Sequence, residues 1–274
     1  MTTPGRESSA SPTTTAGLPL VAIGDLSLHD VDAAQADEII KYWLASPSSC
    51  RLVCTPNVDY VFRARSDVQF RAAVQSCDLR VPDGMWVVYA SRIAGRPLRA
   101  TVTGRLLLPR LAAHCRDVGL PIAMVGAGPG VAQRAADVLR RRCPGLKVVF
   151  CGTPAMGFTV GSDADAAMVR ELANTGPALI FVALGAPKQE TWMERHRAEL
   201  GTAVVIGVGQ AFDVVAGTVR EAPEWMTRVG LEWMFRLAQQ PRRLARRYLV
   251  DDPWILWWAL RTRLDRVERR GGAR

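Results

Sequence analysis

The sequence contains no apolar run long enough to cross a bilayer. The longest candidate near the end of the chain, Trp254–Leu260, has seven residues, whereas a transmembrane helix needs about 20. Residues 1–19 are rich in Ser, Thr, Pro and Gly and lack the apolar core of a signal peptide, which is typical of a disordered tail. These absences predict a cytoplasmic protein.

Metal-binding patterns are equally scarce. The six cysteines stand singly without a C-x-x-C pair, there are only three histidines, and no Asp-x-Asp clamp lies near the candidate site described below. This distribution favours reduced, mostly buried thiols over a disulfide framework or a zinc site. We therefore predict neither a metal nor another cofactor.

Positive charge and tryptophan are concentrated at one end of the chain. The net charge is +9, and residues 220–274 hold 13 Arg against 7 Asp or Glu, together with five of the eight Trp residues. This shift in composition predicts three segments: a disordered tail at 1–19, an α/β domain at 20–219, and a basic, Trp-rich helical appendage at 220–274.

The appendage has three interpretations. Basic residues beside Trp and Leu, as in PWILWWALRTRL, suit a helix that lies on an anionic membrane surface, where each Arg contributes about 1 kcal/mol. The alternative is a helical pair that packs its tryptophans on the core. Nucleic-acid binding is disfavoured, because the aromatic residues run with Leu and Met instead of forming a separate stacking platform.

Short apolar runs alternate with helical patterns between residues 20 and 215. This alternation predicts a Rossmann-like α/β fold, in which a mostly parallel sheet carries helices on both faces. The apolar runs are RLVC, DLRV, PIAMV, LKVVF, ALIFVAL and AVVIGV. Helical patterns fit residues 31–44, 58–76, 85–94, 104–118, 131–142 and 188–200.

Polar or Gly-rich loops follow five of these runs. The carboxyl ends of parallel strands share one rim, where ligands bind, so we expect these loops to form a binding site. The loops carry Thr55-Pro56-Asn57, Asp83 next to Gly84, a glycine turn with Gly126, Gly128 and Gly130, Lys188-Gln189-Glu190, and Asp213.

Each loop also has a purely structural interpretation. Thr55 or Asn57 would cap the following helix, and Asp83 would cap helix 85–94 instead of acting as a general base. The glycine turn suits either a diphosphate at a helix N-terminus or a tight turn. The turn is not a full G-x-G-x-x-G, and no acidic residue lies about 20 positions further on to hold a nicotinamide ribose. His196 is expected on a solvated helix face.

Five stretches together resemble one enzyme family. They are TPNVDYVFRARSDVQFRAAVQSCDLRVPDGMWVVYASRIAGRPL with the VTG after it, GAGPGVAQRAADVLRRRCPGLKV, FVALGAPKQETWM, GVGQAFDVVAGTV and GLEWMFRLAQQPRRLARRYL. They cover about residues 20–250 in unbroken order and are similar to the WecG/TagA/CpsF glycosyltransferases, glycosyltransferase family 26. The resemblance implies an inverting transfer of a hexose, often N-acetylmannosamine or its uronic acid, from a UDP-sugar. The acceptor would be a saccharide on a polyprenyl diphosphate, in the synthesis of cell-envelope polysaccharides.

The resemblance also implies roles for individual residues. Thr55 and Asn57 would line the active site, and Asp83 would deprotonate the acceptor hydroxyl for a single displacement at the anomeric carbon. Gln189 would contact substrate. The appendage would complete the site and attach the protein to the inner face of the plasma membrane, and three of its arginines would neutralise the diphosphate leaving group: Arg236, Arg243 and Arg246. Assembly into a homo-oligomer is left open.

The chain departs from the family pattern at one position of the site. The family usually reads R-V-T-G where this chain reads Thr101-Val102-Thr103-Gly104, so Thr101 stands where an active-site arginine is expected. Arg99 and Arg105 flank this segment. Either of them is a candidate to replace the missing cation.

Two functions outside this family remain as alternatives. A nicotinamide-dependent oxidoreductase would use the glycine turn, and preferential binding of NADH over UDP would favour it. A non-catalytic scaffold at a membrane surface would need only the basic appendage, and it would be favoured if no UDP-sugar were hydrolysed or transferred.

Overall fold

A computed structural model describes residues 15, 17–154, 157–223, 226, 232–239, 241–246 and 252–271. Within the tail expected at 1–19, residues 1–14 and 16 lie outside these ranges. The six cysteines are free thiols, and all except Cys151 are buried.

The strands of the described ranges form two sheets. The first two strands pair antiparallel as a hairpin, and the other six form one sheet in the order β4-β3-β8-β7-β5-β6, in which every pair is parallel. This sheet confirms the predicted α/β class. The strands are β1 (Leu20–Ile23), β2 (Leu26–His29), β3 (Arg51–Cys54), β4 (Leu79–Arg80), β5 (Ile122–Gly126), β6 (Val148–Gly152), β7 (Leu179–Ala183) and β8 (Val204–Gly207).

Helices connect these strands and continue beyond the last one. Up to β8 they are α1 (Ala33–Ala45), α2 (Val58–Ser66), α3 (Val68–Ser76), α4 (Met85–Ile93), α5 (Gly104–Val118), α6 (Val131–Arg142), α7 (Asp163–Asn174) and α8 (Lys188–Arg195). After β8 come α9 (Ala211–Val215), α10 (Glu232–Gln239), α11 (Pro241–Arg246) and α12 (Asp252–Gly271).

The parallel sheet is buried on both faces, as the continuous apolar runs of its strands require. Successive side chains of a strand point to opposite faces, and β7 shows the result. Ile180 and Val182 join one apolar cluster with Trp192 of α8, whereas Leu179 and Phe181 join a second cluster on the other face. The helices of the second cluster are α1, α5, α6 and α9.

The helix predicted at residues 58–76 is two helices. Asp67 ends α2 and begins α3 with an extended backbone conformation, and its side chain accepts a hydrogen bond from Phe70 N. An Asp at an N-cap position stabilises the helix that follows it, so the continuous apolar periodicity concealed a break.

The hairpin β1–β2 was not predicted, although the sequence contains a signal for it. Its strands are joined by Gly24 and Asp25, and Gly24 has a φ of 61°. Two residues of this type between apolar segments are a hairpin signature, but strands of only four residues carry little periodicity. The helix α7, capped by Ser162, was also missed.

The last helix packs against the α/β core. Ile255 and Ala259 of α12 are 1% and 0% exposed, and they belong to the same apolar cluster as Val87 and Val88 of α4. The domain boundary near residue 220 stays a prediction. No helix built from the described residues has both the length and the apolarity of a bilayer span.

Candidate active site

A cavity of about 730 Å³ opens at the carboxyl end of the parallel sheet, on the rim that the sequence predicts. The loops after β3, β4, β7 and β8 surround it, together with the N-terminus of α5 and the start of α12. Residues far apart in the chain therefore meet in one space. Its walls include Thr55, Asn57, Tyr60, Asp83, Arg105, Gln189, Gln210 and Asp252.

Thr55 and Asn57 lie where β3 passes into α2. Thr55 is 5% exposed, and its hydroxyl donates to Gly207 O at 3.3 Å, which fixes the end of β3 to the end of β8. Asn57 caps α2, because its Oδ1 accepts from Asp59 N at 3.0 Å. The cap uses the amide oxygen of Asn57, so Nδ2 is the atom that can donate to a ligand.

Asp83 lies in the turn between β4 and α4. Its backbone N donates to Pro56 O at 2.9 Å, which holds this turn beside the β3 loop. The N-cap of α4 is Gly84, with a φ of 93°, and the helix has no side-chain cap. The N-cap position is thus Gly84 and not Asp83, which lies one residue before it, and the partly buried carboxylate of Asp83 lines the cavity.

Gln189 lies at the base of the cavity in a buried hydrogen-bond network. The side chain is 1% exposed; its Oε1 accepts from Gly209 N at 3.2 Å, and its Nε2 donates to Glu190 Oε1 at 2.7 Å. Both ends of the amide are thus engaged with protein. The amide fixes the loop after β8, where Gly209 lines the cavity.

Tyr60 is a functional candidate that the sequence did not reveal, and Glu190, although it was noted in its rim loop, was given no role of its own. Glu190 is 0% exposed, and its Oε1 accepts from Tyr60 OH at 2.5 Å, while Oε2 has no hydrogen-bond partner among the described residues. Burial raises the pKa of Glu190 from 4.5 to about 7, against the lowering effect of the hydrogen bonds from Tyr60 and Gln189. Burial also raises the pKa of Tyr60 well above 10, so the phenol stays a donor.

The N-terminus of α5 points into the cavity. Thr103 caps this helix by accepting from Leu106 N at 3.2 Å. A Cβ on Gly104 would lie 2.5 Å from Val208 Cα, so glycine allows the helix to approach the loop after β8. A helix N-terminus favours an anion, and Arg105 in the first turn adds a full positive charge to the same wall.

The structure separates the two arginines proposed to replace the one missing at Thr101. Arg105 lines the cavity with 16% of its side chain exposed, and its Nε lies 4.0 Å from Glu221 Oε1. Arg99 is not part of the cavity lining; it pairs with Asp30 at 3.2 Å and donates to Gln35 Oε1 at 3.2 Å. Arg105 is therefore the arginine that the fold brings to the site.

The glycine turn does not line this cavity within the described part of the chain. Gly126 is required by packing, because a Cβ there would lie 2.6 Å from the carbonyl group of Ala183 at the end of β7. Gly128 and Gly130 are exposed, and Gly130 begins α6 with a φ of 71°. The tight-turn interpretation accounts for these positions, and their role in substrate binding stays a prediction.

Three other sequence candidates have structural partners. Lys188 donates to Phe158 O at 3.0 Å, and Asp213 accepts from the Thr218 hydroxyl at 3.3 Å. His196 was expected on a solvated face, but it is 3% exposed. It lies between Asp165 and Glu199, at 2.9 and 2.8 Å, so that expectation is wrong.

The appendage contributes one described residue that the sequence analysis did not single out. Asp252, in the first turn of α12, is 2% exposed and lines the cavity. Trp233 of α10 lies 6.0 Å from Trp86 of α4, measured between ring centroids. The side chains of the three predicted arginines lie outside the described residues: Arg236, Arg243 and Arg246.

Metal-binding geometry is not found in the described ranges. No group of three or more His, Cys, Asp or Glu side chains there has an arrangement that could hold an ion. The chemical groups of the cavity include carboxylates at Asp83 and Asp252, a cationic wall at α5, and the buried Tyr60–Glu190–Gln189 network.

Comparison with known proteins identifies relatives of the whole fold. A sequence model described as the "Glycosyl transferase WecG/TagA/CpsF family" matches residues 21–269. A protein of Bacillus spizizenii is 31% identical over 195 residues, which cover 71% of this chain and 73% of that protein. A protein of Bacillus subtilis is 31% identical over 196 residues, which cover 71% and 74%. Both are named N-acetylglucosaminyldiphosphoundecaprenol N-acetyl-beta-D-mannosaminyltransferase.

Proposed function

This chain belongs to the WecG/TagA/CpsF family of glycosyltransferases, and from that membership we propose its substrates and mechanism. The enzyme transfers N-acetylmannosamine, its uronic acid or a related hexose from a UDP-sugar. The acceptor is a saccharide on a polyprenyl diphosphate, and the names of the two Bacillus relatives, which specify an N-acetylglucosaminyl-diphosphoundecaprenol, support this choice. The product serves cell-envelope polysaccharide synthesis.

Asp83 acts as the general base on the acceptor hydroxyl. The observation that carries this role is its position: a carboxylate on the cavity wall, in a turn held beside the β3 loop by Pro56 O. Removal of the hydroxyl proton as the oxygen attacks the anomeric carbon accelerates the displacement. A single displacement inverts the configuration of that carbon.

The N-terminus of α5 and Arg105 hold the diphosphate of the donor. Negative charge grows on the leaving UDP as the glycosidic bond breaks, and preorganised donors aimed at that charge lower the barrier. The helix supplies the positive end of its dipole, and Arg105 supplies a guanidinium. Arg236, Arg243 and Arg246 are expected to add to this charge, as the family resemblance implies.

The appendage attaches the enzyme to the inner face of the plasma membrane. Trp254 and Trp257 of α12 are 54% and 52% exposed, and the Arg261 guanidinium lies 5.6 Å from the centroid of the Trp257 ring. Exposed aromatic residues with arginine beside them suit the interface of an anionic leaflet. Attachment brings the cavity to the acceptor, whose lipid stays in the membrane.

The alternative of a nicotinamide-dependent oxidoreductase loses its main support, because the glycine turn lies outside the lining of the described cavity. Gly126 is explained by its approach to Ala183. A non-catalytic scaffold would not need a carboxylate and a cationic helix terminus in one cavity.

A donor screen tests the proposed function. Purified enzyme is incubated with each of several UDP-sugars and a polyprenyl-diphosphate-linked N-acetylglucosamine, and the mass of the lipid product is measured. We expect addition of one N-acetylhexosamine or hexuronic acid residue with one UDP-sugar. The proposal fails if no UDP-sugar extends any polyprenyl-linked acceptor while NADH binds more tightly than UDP.

A further inference from the structure

A second cavity adjoins the first one. It has a volume of about 390 Å³ and lies between α2 and α12. Phe62 of α2 lines both cavities. The helix α12 also passes from one to the other, because Asp252 lines the first and Trp254 lines the second. We call this second cavity the aromatic groove, and its walls include Phe62, Arg65, Trp254, Trp257, Trp258 and Arg261.

The walls of the aromatic groove combine apolar rings with positive charge. The rings of Trp254 and Trp257 meet edge to face, with centroids 5.1 Å apart. Arg65 lines the groove from α2, and Arg261 lines it from α12. A ligand that fits such walls has an apolar chain and an anionic group close to one end of that chain.

Core packing accounts for Trp258, which lies against the apolar cluster, but not for Trp254 and Trp257. The opposite side of α12 buries Ile255 and Ala259 against α4, whereas Trp254 and Trp257 each leave about half of their surface exposed. Large apolar side chains that remain exposed as a connected patch typically mark a binding site. Here the patch lies beside the catalytic cavity.

We propose that the aromatic groove binds the isoprenoid segment of the acceptor next to its diphosphate. This inference rests on the proposed function, in which the acceptor saccharide occupies the catalytic cavity. The diphosphate of that acceptor lies between the saccharide and the lipid, so the lipid must leave the cavity through an adjoining opening. The groove supplies this opening, and Arg65 and Arg261 match the charge of the diphosphate.

The volume of the aromatic groove limits the bound part of the lipid to its first isoprene units. Ligand pockets commonly range from about 300 to 1,000 Å³, and the groove, at about 390 Å³, is at the lower end. The rest of a long polyprenyl chain stays in the bilayer. A leaflet surface alone would not require a concave site, nor one that shares Phe62 with the catalytic cavity.

Equilibrium binding separates the lipid contribution from catalysis. Calorimetry compares farnesyl diphosphate with inorganic diphosphate, without membranes. We expect the Kd of farnesyl diphosphate to be at least about tenfold lower. A tenfold gain corresponds to about 1.4 kcal/mol, which burial of roughly 60 Å² of apolar surface provides at about 25 cal/mol per Å².

Variants of α12 locate the binding. Trp257→Ser should reduce the preference for farnesyl over inorganic diphosphate to less than about threefold, and Trp257→Phe should retain most of it. Leu264→Ser is the matched control, because Leu264 is also 54% exposed on α12 but does not line the groove. It should leave the preference unchanged. Melting temperatures verify that all three variants fold.

The outcomes also distinguish this inference from the proposed function. Equal binding of the two diphosphates by the folded wild-type protein would overturn the inference, even if transfer proceeds. Loss of vesicle binding in Trp257→Ser with an unchanged farnesyl preference would overturn it as well, and would assign the tryptophans to the leaflet. A retained farnesyl preference in a protein that transfers no sugar would leave the groove intact and refute the proposed function.

Discussion

The hydroxyl of Tyr60 donates a 2.5 Å hydrogen bond to Oε1 of Glu190, although the two residues are 130 positions apart in the chain. Tyr60 belongs to α2 and Glu190 to α8, so this bond joins two of the elements that build the cavity. Gln189 extends the connection to the loop after β8 through Gly209 N. The network makes the relative positions of these three elements depend on one buried carboxyl group.

Glu190 should make the stability of the protein depend on pH. Its pKa is about 7 in the folded protein, against an ordinary value of 4.5 that applies to the unfolded chain. At a pH between these two values the folded state therefore binds more protons than the unfolded state. The free energy of unfolding therefore falls as pH rises from about 4.5 to 7, by an amount on the order of 3 kcal/mol. Urea unfolding across this range measures it.

The variant Glu190→Gln isolates this effect. It keeps the shape of the side chain and removes the ionisable group, so its free energy of unfolding relative to wild type should increase from pH 4.5 to pH 7. Other titrating groups, such as His29, whose burial lowers its pKa to about 4, affect both proteins equally. Parallel stability curves for the two proteins would show that Glu190 does not titrate as described.

Replacement of Asp83 should abolish most of the transfer without unfolding the protein. If Asp83 is the general base, Asp83→Asn lowers kcat about 10²- to 10⁴-fold, while the melting temperature stays close to that of wild type. Asp213→Asn is the matched control, because Asp213 lies on the same rim but is paired with Thr218 and does not line the described cavity. Comparable kcat values for the two variants would exclude Asp83 from the chemistry.

Arg105 and Arg99 should respond differently to truncation. Arg105→Ala removes a guanidinium from the cavity wall, and loss of a charged hydrogen bond of about 1.5–3 kcal/mol corresponds to roughly a 10- to 150-fold loss in kcat/KM for the donor. Arg99→Ala removes pairs with Asp30 and Gln35 outside the cavity, so its kcat/KM should stay within about twofold of wild type. The reverse ranking would assign the substitute cation to Arg99.

A side chain at Gly104 should disturb the junction of α5 with β8. In Gly104→Ala the new Cβ would lie 2.5 Å from Val208 Cα, so backbone atoms must move, and overpacking of this kind destabilises by about 1–3 kcal/mol. A Cβ on Gly128 would meet its nearest neighbour, Val131 Cγ2, at an ordinary 3.6 Å. Gly128→Ala should therefore change the free energy of unfolding by less than about 0.5 kcal/mol, as measured by denaturant titration.

Local pattern was sufficient to predict the sheet and the rim. The strands β5, β7 and β8 are continuous apolar runs, and a run buried on both faces is readable from sequence because every position must be apolar. The polar loops after β3, β4 and β7 identified Thr55, Asn57, Asp83 and Gln189, which all line one cavity. Parallel strands with helical crossovers place these loops on the same rim whatever the details of packing.

Local pattern failed for two polar residues whose environment is set by distant partners. His196 was expected on a solvated helix face. Its Nε2 instead forms a buried hydrogen bond with Oδ2 of Asp165, 31 positions away in the chain. Glu190 looked like an ordinary first-turn acid, yet Tyr60 and burial give it a pKa of about 7. Neither partner is visible in a window of neighbouring residues.

The sequence alone determined the fold class, the family and the rim on which chemistry is expected, because apolar continuity and short motifs are local properties. Only the tertiary structure decided which groups share the cavity: Arg105 and not Arg99, and Asp252 from α12. These assignments depend on how α5 and α12 pack against the sheet. Such packing is set by contacts between side chains that lie far apart in the chain, which no local pattern records.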